Sequence, residues 1–349
     1  MTIKVLIVDD SALMRRLLES RLAGEADIDV VGSASNAQEA RAMMKELDPD
    51  VVTLDIEMPG MDGLSFLEKI MTLRPTPVII VSGWTQEGDE ITAKALNLGA
   101  VSCYAKDANK GALPHDDRGR LANLVRGAAA SNIKQHGAHP ARPKQPQIET
   151  NFAARKAGLI AIGSSTGGVE ALRVLLADFP ADCPPTVIVQ HVHARFAPAI
   201  ADTLAQSAKA RVVMAESDLV LKQGHIYFAP GGEKHLLIAG GTSGYRSRLR
   251  QGELISGHRP SVDGLFASVA AAAGPDAIGI LLTGMGRDGA DGLLRMKQAG
   301  ARTIAQDEAS CVVFGMPRAA IELGAADAVL PLSRMARQIF VSRSAECAS

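Results

Sequence analysis

Three short polar segments in the second half of the chain each carry one of the residue types that serine hydrolases use. Ser165 lies in a glycine-rich segment of residues 163–168, His191 follows an apolar run, and Asp288 lies in a second glycine-rich segment of residues 283–289. A serine, a histidine and an aspartate act as nucleophile, general base and orienting partner when a fold brings them together. The second half of the sequence therefore predicts hydrolytic chemistry.

The segment around Ser165 has the G-x-S-x-G spacing of a nucleophile elbow. A helix predicted to begin near Gly168 would direct its N–H groups at the site and favour a developing oxyanion. The same turn could instead hold a phosphate, which leaves a non-enzymatic phospho-switch binding module as the alternative. His191 and Asp288 favour the hydrolase because a phosphate site needs neither. We expect replacement of Ser164 to be mild.

His193 is a rival base two residues beyond His191. His191 is preferred because it directly follows a predicted buried strand, which would fix its imidazole. The order Ser165, His191, Asp288 differs from the Ser, Asp, His order of α/β-hydrolases. Triads are defined by geometry, so the order alone does not exclude one.

Each of the three segments follows a predicted strand. These strands cover residues 159–162, 186–189 and 277–282. In an open parallel sheet, ligands bind just beyond the carboxyl ends of the strands. The pattern therefore predicts that the three segments meet at one edge of a sheet.

The first half of the chain places a different set of polar residues at predicted strand ends. Asp9 and Asp10 follow the first strand, Asp55 ends the third, Ser82 follows the fourth and Lys106 follows the fifth. Three convergent carboxylates repel one another unless a cation is present, and Mg²⁺ is the hard divalent ion that suits them. A hydroxyl and an ammonium group can hold the oxygens of a phosphoryl group on Asp55. This half therefore predicts a phosphorylation site.

Strand-like and helix-like segments alternate in both halves, which predicts an α/β protein with two doubly wound parallel-sheet domains. In the first half the helix after Ser11 is expected to present Leu13, Leu17, Leu18 and Leu22 on one face. Residues 131–156 contain three prolines and five Lys or Arg against one Glu, which is typical of a flexible linker. The predicted domains are therefore residues 1–130 and 157–349.

Composition excludes several classes of function. The net charge is −1 and neither half carries a basic patch or a helix-turn-helix pattern, so we expect no nucleic-acid partner. No apolar stretch approaches the length of a membrane span, so we expect no membrane insertion. The four cysteines lack metal-ligand spacing, which favours reduced thiols and a cytoplasmic location.

The first 130 residues resemble a two-component receiver domain, most closely in the stretch of residues 54–63. The resemblance implies that a sensor histidine kinase phosphorylates Asp55. It also implies that Mg²⁺ is held by Asp10, Asp55 and the backbone carbonyl of Glu57, with Asp9 assisting through water. Ser82 and Tyr104 would be the switch hydroxyl and switch aromatic residue. Two positions depart from the usual pattern, Gly83 in place of a small polar residue and Asp107 in place of proline.

Residues 157–343 resemble the catalytic domain of chemotaxis-type protein-glutamate methylesterases, the CheB family. The motifs that carry the resemblance are residues 163–168, Gln190-His191, and residues 259–263, 283–289 and 305–317. The family likeness assigns Ser165 as nucleophile, His191 as base and Asp288 as its partner, with Thr166 and the backbone of Met285 supporting the oxyanion. It implies that the substrate is a glutamate γ-methyl ester on methyl-accepting chemoreceptors, that receptor glutamines are also deamidated, and that the hydrolase needs no cofactor. His191-Val192-His193 departs from the His-Met-Pro common in the family, which would alter the rim of the substrate groove.

Overall fold

The structure, a computed structural model, describes residues 2–58, 63–83, 86–106, 119–133, 158–241 and 244–340. The chain divides into two compact units, one in residues 1–141 and one in residues 142–349. Most of the predicted linker lies outside the described residues, so its bounds and the domain bounds that depend on them stay predictions. Among the described helices, none has the length and apolar character needed to cross a membrane.

The first unit is a five-stranded parallel sheet with the strand order β2-β1-β3-β4-β5. Its strands are β1 (Ile3–Val8), β2 (Ile28–Ala34), β3 (Val51–Asp55), β4 (Val78–Ser82) and β5 (Ser102–Ala105). The helices between and after them are α1 (Ala12–Leu22), α2 (Ala37–Leu47), α3 (Gly63–Leu73), α4 (Gln86–Asn97) and α5 (Arg120–Ala129). This is the predicted doubly wound arrangement, and it aligns the carboxyl ends of β1 and β3.

Helix α1 begins as predicted, because the Ser11 side chain accepts a hydrogen bond from the Met14 amide at 3.3 Å. Its buried face differs from the prediction. Met14, Leu18 and Leu22 are buried, whereas Leu13 is 57% exposed. Met14, Leu18 and Leu22 recur at every fourth position and form one stripe, and Leu13 lies about 140° from the middle of it around the helix axis.

The second unit is a seven-stranded parallel sheet with the order β14-β13-β12-β6-β7-β9-β8. Its strands are β6 (Leu159–Ser164), β7 (Thr186–Gln190), β8 (Arg211–Met214), β9 (His225–Phe228), β12 (Ala277–Leu281), β13 (Arg302–Gln306) and β14 (Ala328–Leu330). The helices are α6 (Gly168–Ala177), α7 (Ala197–Ser207), α8 (Val262–Ala273), α9 (Ala290–Gln298), α10 (Met316–Glu322) and α11 (Leu332–Phe340). The predicted doubly wound sheet is confirmed here too.

An antiparallel pair interrupts the alternating pattern of the second unit. Strand β10 (Lys234–Gly241) pairs with β11 (Gly244–Gln251) outside the main sheet. Leu236 and Ile238 of β10 are buried, whereas Arg248 and Arg250 of β11 are exposed. A hairpin with one apolar and one charged side suits the surface of the unit better than its central sheet, in which both faces are covered.

The order of strands explains where a site can form. Strand β6 is the first strand of the second unit, and its neighbours β7 and β12 lie on opposite sides of it. The chain therefore reverses its direction of travel at β6, and the crevice beyond the carboxyl ends of these strands is the usual ligand site of such sheets. All three segments that carry Ser165, His191 and Asp288 leave the sheet at this crevice.

Candidate active site

Ser165 is the first residue after β6, in a tight turn between that strand and α6. The Ser165 amide donates to the carbonyl of Thr283 at 3.0 Å, and the Gly168 amide donates to the carbonyl of Ser165 at 2.8 Å. Gly167 has φ of 74°, a left-handed conformation that favours glycine. A Cβ atom there would also lie 2.4 Å from Val312 Cβ. The glycines therefore permit the sharp turn that presents Ser165 beyond the sheet.

His191 occupies the matching position after β7. The two strands pair with Ser164 opposite Gln190, and the His191 amide continues the ladder by donating to the carbonyl of Ser164 at 3.0 Å. Neighbouring strands lie about 4.8 Å apart. Ser165 and His191 are the next pair of positions along these two strands, so their backbones lie side by side. His193 begins a short 3-10 turn, and its Nδ1 accepts a hydrogen bond from the Arg195 amide at 3.4 Å. The structure therefore brings His191 beside the nucleophile segment.

Asp288 holds the imidazole of His191. His191 Nε2 lies 2.8 Å from Asp288 Oδ2, and the Asp288 side chain is buried. A carboxylate only accepts hydrogen bonds, so Nε2 carries a hydrogen, and in the neutral imidazole Nδ1 then has the lone pair. His191 Nδ1 is buried and has no hydrogen-bond partner among the described residues. The two nitrogens therefore have the reverse roles of those in chymotrypsin-like proteases, where Nδ1 faces the aspartate.

The amino-terminal end of α8 holds Asp288 in place. Asp288 Oδ1 accepts from the Ser261 hydroxyl at 2.7 Å and from the Asp263 amide at 2.9 Å, and Oδ2 accepts from the Val262 amide at 2.8 Å. Burial alone would favour the neutral acid. The hydrogen bond and charge of His191 and these backbone amides outweigh it and lower the pKa of Asp288 to about 2. Asp288 is therefore a carboxylate fixed before any reaction occurs.

A second carboxylate, Asp263, lies next to Asp288. Its Oδ2 accepts from the Ser256 hydroxyl at 2.6 Å, and its Oδ1 accepts from the Gly292 amide at 2.7 Å. Burial raises the pKa of Asp263, the two hydrogen bonds oppose that effect, and the charge of Asp288 adds to it. Asp263 joins α8 to α9 and so supports the end of α8 that holds Asp288.

The segment after β12 passes directly against Ser165. A Cβ atom on Gly284 would lie 2.7 Å from Ser165 Cβ and 2.3 Å from Met316 Sδ. The Thr283 hydroxyl donates to the Thr166 carbonyl at 3.0 Å, which joins this segment to the elbow. Within the described part of the chain, the backbone N–H groups of Thr166 and Met285 donate to no other group. Both amides therefore have no acceptor among the described residues.

Some residues of the site were not singled out from the sequence. His258 stacks on His191 with ring centroids 3.7 Å apart and an angle of 8° between the rings. Ser261 was noticed only as part of the motif of residues 259–263, yet its hydroxyl both caps α8 and contacts Asp288. A serine followed by Val-Asp-Gly and an apolar run is a helix-cap signal, but a cap signal does not reveal a carboxylate that arrives from a distant loop.

The first unit brings its acidic residues together as predicted at the ends of β1 and β3. One oxygen each from Asp9, Asp10 and Asp55 lie within 4.8 Å of one another. Lys106 Nζ lies 2.5 Å from Asp55 Oδ2 and 2.9 Å from Asp9 Oδ2. Burial raises the pKa of Asp9; Lys106 opposes this effect, and the charge of Asp55 adds to it. Burial disfavours the charge on Lys106, but Asp55 and Asp9 raise its pKa above the ordinary value. Hard oxygen donors with excess negative charge fit a divalent cation such as Mg²⁺.

One departure from the receiver pattern, Gly83, lies against Glu57 beside this cluster. Glu57 accepts a hydrogen bond from the Gly83 amide through Oε2 at 3.1 Å, and a Cβ atom on Gly83 would lie 2.4 Å from that oxygen. The carboxylate of Glu57 therefore occupies the space that a small polar side chain at position 83 would need. The Ser82 hydroxyl donates to the Gly88 carbonyl at 3.4 Å, and Tyr104 is buried. Asp107, the other departure, lies outside the described residues.

Comparison with known proteins agrees with this geometry. The CheB methylesterase family model matches residues 160–339, and the response regulator receiver domain model matches residues 5–116. A protein-glutamate methylesterase/protein-glutamine glutaminase 1 from Caulobacter vibrioides is 51% identical over 343 residues, covering 98% of each chain. A protein-glutamate methylesterase/protein-glutamine glutaminase from Agrobacterium fabrum is 51% identical over 342 residues, covering 96% of this chain and 95% of the relative.

A solved structure covers the second unit. The CheB methylesterase catalytic domain from Thermotoga maritima has a TM-score of 0.51 and 35% sequence identity, and the match covers 52% of this chain and 97% of that one. Family models cover both halves, and the curated relatives span nearly the full length. The chain therefore belongs to the CheB methylesterase family and combines its catalytic domain with a response regulator receiver domain.

Proposed function

We propose that this chain is a phosphorylation-regulated serine hydrolase that removes methyl groups from glutamate γ-methyl esters on chemoreceptors and deamidates receptor glutamines. The observation that supports it most is the hydrogen bond between His191 and Asp288. It leaves His191 Nδ1 without a hydrogen-bond partner among the described residues, and His191 follows the strand that pairs with the one before Ser165. The names of the curated relatives supply the substrate class.

The reaction follows from the roles of the individual atoms. Ser165 Oγ attacks the ester carbonyl carbon while His191 Nδ1 takes its proton, and the carbonyl oxygen becomes an oxyanion. The N–H groups of Thr166 and Met285 donate to that oxygen. The bond to the methoxy oxygen then breaks, and His191 returns the proton so that methanol leaves. Water then attacks the acyl carbon while His191 Nδ1 takes its proton, the bond to Ser165 Oγ breaks as Oγ receives that proton, and glutamate is released. With a glutamine substrate the leaving group of the first step is ammonia.

The receiver unit supplies the regulation in this proposal. Asp55 accepts the phosphoryl group from a sensor histidine kinase, and Ser82 and Lys106 bind its oxygens while Tyr104 responds to the change. Asp9, Asp10, Asp55 and the backbone carbonyl of Glu57 would hold Mg²⁺, which supplies positive charge against the phosphoryl group when it is bound. The convergence of three carboxylates and Lys106 supports this assignment.

The alternative of a phosphate-binding module has less support. The amide of Ser165 donates to Thr283 and the amide of Gly168 donates to Ser165, so two donors of the glycine-rich turn are already used. A phosphate cradle depends on several such amides pointing at one anion. It also gives no role to the hydrogen-bonded pair of His191 and Asp288.

The direct test is methanol release from membranes that carry receptors with isotopically labelled methyl esters. We expect release by the full-length chain in the presence of Mg²⁺ and a phosphoryl donor, and none by the same protein with Ser165→Ala. Release that is unchanged by Ser165→Ala would exclude the proposed nucleophile. No release by the unaltered protein, with receptors that a known methylesterase demethylates, would exclude the activity.

A further inference from the structure

Gln190, the last residue of β7, lies between the proposed nucleophile and the proposed base and contacts both segments. Its Nε2 donates to the carbonyl of Ser165 at 2.8 Å and to the carbonyl of His191 at 3.1 Å. Its Oε1 accepts from the Ser164 hydroxyl at 2.6 Å. Carbonyl oxygens only accept hydrogen bonds, so these contacts fix which way the amide faces. One side chain thus joins the two segments between which the proton must move.

Burial and hydrogen bonding restrict the side-chain amide of Gln190 to one orientation. Gln190 and Ser164 are both buried, with exposures of 4% and 0%. Both N–H groups of the amide and its oxygen have partners, so the network has no unused polar group that could stabilise a second orientation. A buried and fully paired network of this kind specifies a single local geometry.

The start of α6 is shaped around the same amide. A Cβ atom on Gly168 would lie 2.1 Å from Gln190 Oε1 and 2.8 Å from Ser164 Cβ. Gly168 must therefore lack a side chain for Gln190 and Ser164 to meet. This contact is independent of the hydrogen bonds, and it indicates that the first turn of α6 accommodates the network.

We infer that Gln190 and Ser164 are positioning residues that set the distance between Ser165 and His191, with Ser164 acting through the Gln190 amide. The inference rests on the proposed function, because it assigns these residues to the same reaction. It also changes the expectation for Ser164, whose replacement the sequence alone predicts to be mild.

Gln190→Met keeps the length of the side chain and removes all three hydrogen bonds. We expect kcat to fall roughly 10- to 100-fold with KM changed less than about threefold, since small misplacements of reacting groups cost about that much. Ser164→Ala removes one hydrogen bond, and we expect a fall of roughly 3- to 10-fold. The double variant should be no slower than Gln190→Met, because the serine acts only through the amide.

Ser247→Ala is a matched control in the same unit. Ser247 is fully buried and its hydroxyl donates to the Glu216 carbonyl at 2.6 Å, away from the site. It should lower thermal stability about as much as Ser164→Ala and leave kcat unchanged. If Ser247→Ala slows the reaction as much as Ser164→Ala, or if the losses of the double variant multiply, the positioning role is wrong.

A second readout does not depend on the reaction. The amides of Ser165 and His191 donate to the carbonyls of Thr283 and Ser164, and their hydrogen exchange reports how firmly the two segments are held. We expect faster exchange at both amides in Gln190→Met than in Ser247→Ala, and slower labelling of Ser165 by a fluorophosphonate. Unchanged exchange in Gln190→Met would overturn the inference. Absence of methanol release by the unaltered protein would instead count against the proposed function, and the exchange comparison would still decide on Gln190.

Discussion

At the scale of single residues, the site depends on which nitrogen of His191 faces which partner. Asp288 contacts Nε2, so in the proposed mechanism the proton of Ser165 goes to Nδ1. Nδ1 is bonded to Cγ, the ring carbon nearest the backbone, so it lies closer to the backbone of His191 than Nε2 does. The position of His191 at a strand end, rather than in a long loop, suits this arrangement.

Replacing Ser165 with alanine should abolish methanol release while leaving the fold intact. The hydroxyl of Ser165 makes no hydrogen bond with another described residue, so its loss leaves no buried group without a partner. The measurement is the initial rate of methanol release together with the thermal unfolding midpoint. Ser247→Ala is the control, and retained activity in Ser165→Ala would assign the nucleophile elsewhere.

His191→Ala should be nearly as damaging to kcat as Ser165→Ala, because nucleophile and base act as one unit. His193→Ala should change KM more than kcat, since His193 lies beyond the base and interacts with the turn of residues 194–196. Steady-state kinetics of both variants on methylated receptors separates these effects. Near-normal kcat in His191→Ala would transfer the role of base to His193.

At the scale of elements, two strand-end glutamines hold loops that diverge from the sheet. Gln190 ends β7 and joins the segments of Ser165 and His191. Gln306 ends β13, accepts from the Thr283 amide at 2.8 Å and donates to the Ser310 carbonyl at 2.8 Å. Each side-chain amide makes hydrogen bonds to the backbone of neighbouring loops just beyond the point where the strands stop pairing. The loops that carry the site are therefore held in place where they leave the sheet.

Acid should destabilise the second unit partly through Asp288. Its pKa is lowered to about 2 in the folded chain, compared with about 3.9 for an unperturbed aspartate. A lowered pKa stabilises the fold above the unfolded value, and that stability is lost as the pH falls from about 4 through about 2. The unfolding free energies of the unaltered protein and Asp288→Asn should therefore differ most near neutral pH and converge toward pH 2. A difference that is constant over this range would mean that Asp288 is not held as an ion.

The elements were largely predictable because strands and helices alternate clearly and each catalytic candidate follows an apolar run. The gathering of Asp9, Asp10 and Asp55 was predictable for the same reason. The hairpin of β10 and β11 and the face of α1 were not, because short amphipathic strands and neighbouring leucines satisfy more than one pattern. The roles of Gln190, Ser261 and His258 depend on contacts between loops far apart in sequence, which spacing along the chain does not encode.

At the scale of the whole molecule, phosphorylation of Asp55 should raise the rate of demethylation, and so should removal of residues 1 to about 150. We propose that the unphosphorylated receiver inhibits the catalytic unit and that the phosphoryl group relieves this inhibition through Ser82 and Tyr104. The effect is a shift of population, limited by how strongly phosphorylation favours the active state. The measurement is the initial rate for the full chain, the full chain with donor and Mg²⁺, and the fragment.

Asp55→Asn is the control for that comparison, and it should not respond to the donor. If the fragment is no faster than the unphosphorylated full chain, simple inhibition by the receiver is wrong. The receiver would then act by recruiting the enzyme to its substrate. In that case phosphorylation should raise the rate at low receptor concentration and leave the rate at saturating receptor concentration unchanged.

The end of α8 has a consequence for chemical rescue. Ser261, Val262 and Asp263 direct three donors at the carboxylate of Asp288, and these donors stay in place when the carboxylate is removed. Asp288→Ala would therefore leave a pocket shaped for a small external anion beside His191 Nε2. Added formate should restore part of the lost kcat in a saturable manner, while Asp288→Asn, whose amide fills the space, should not respond. The same helix end that holds the native aspartate would thus accept a diffusible replacement for it.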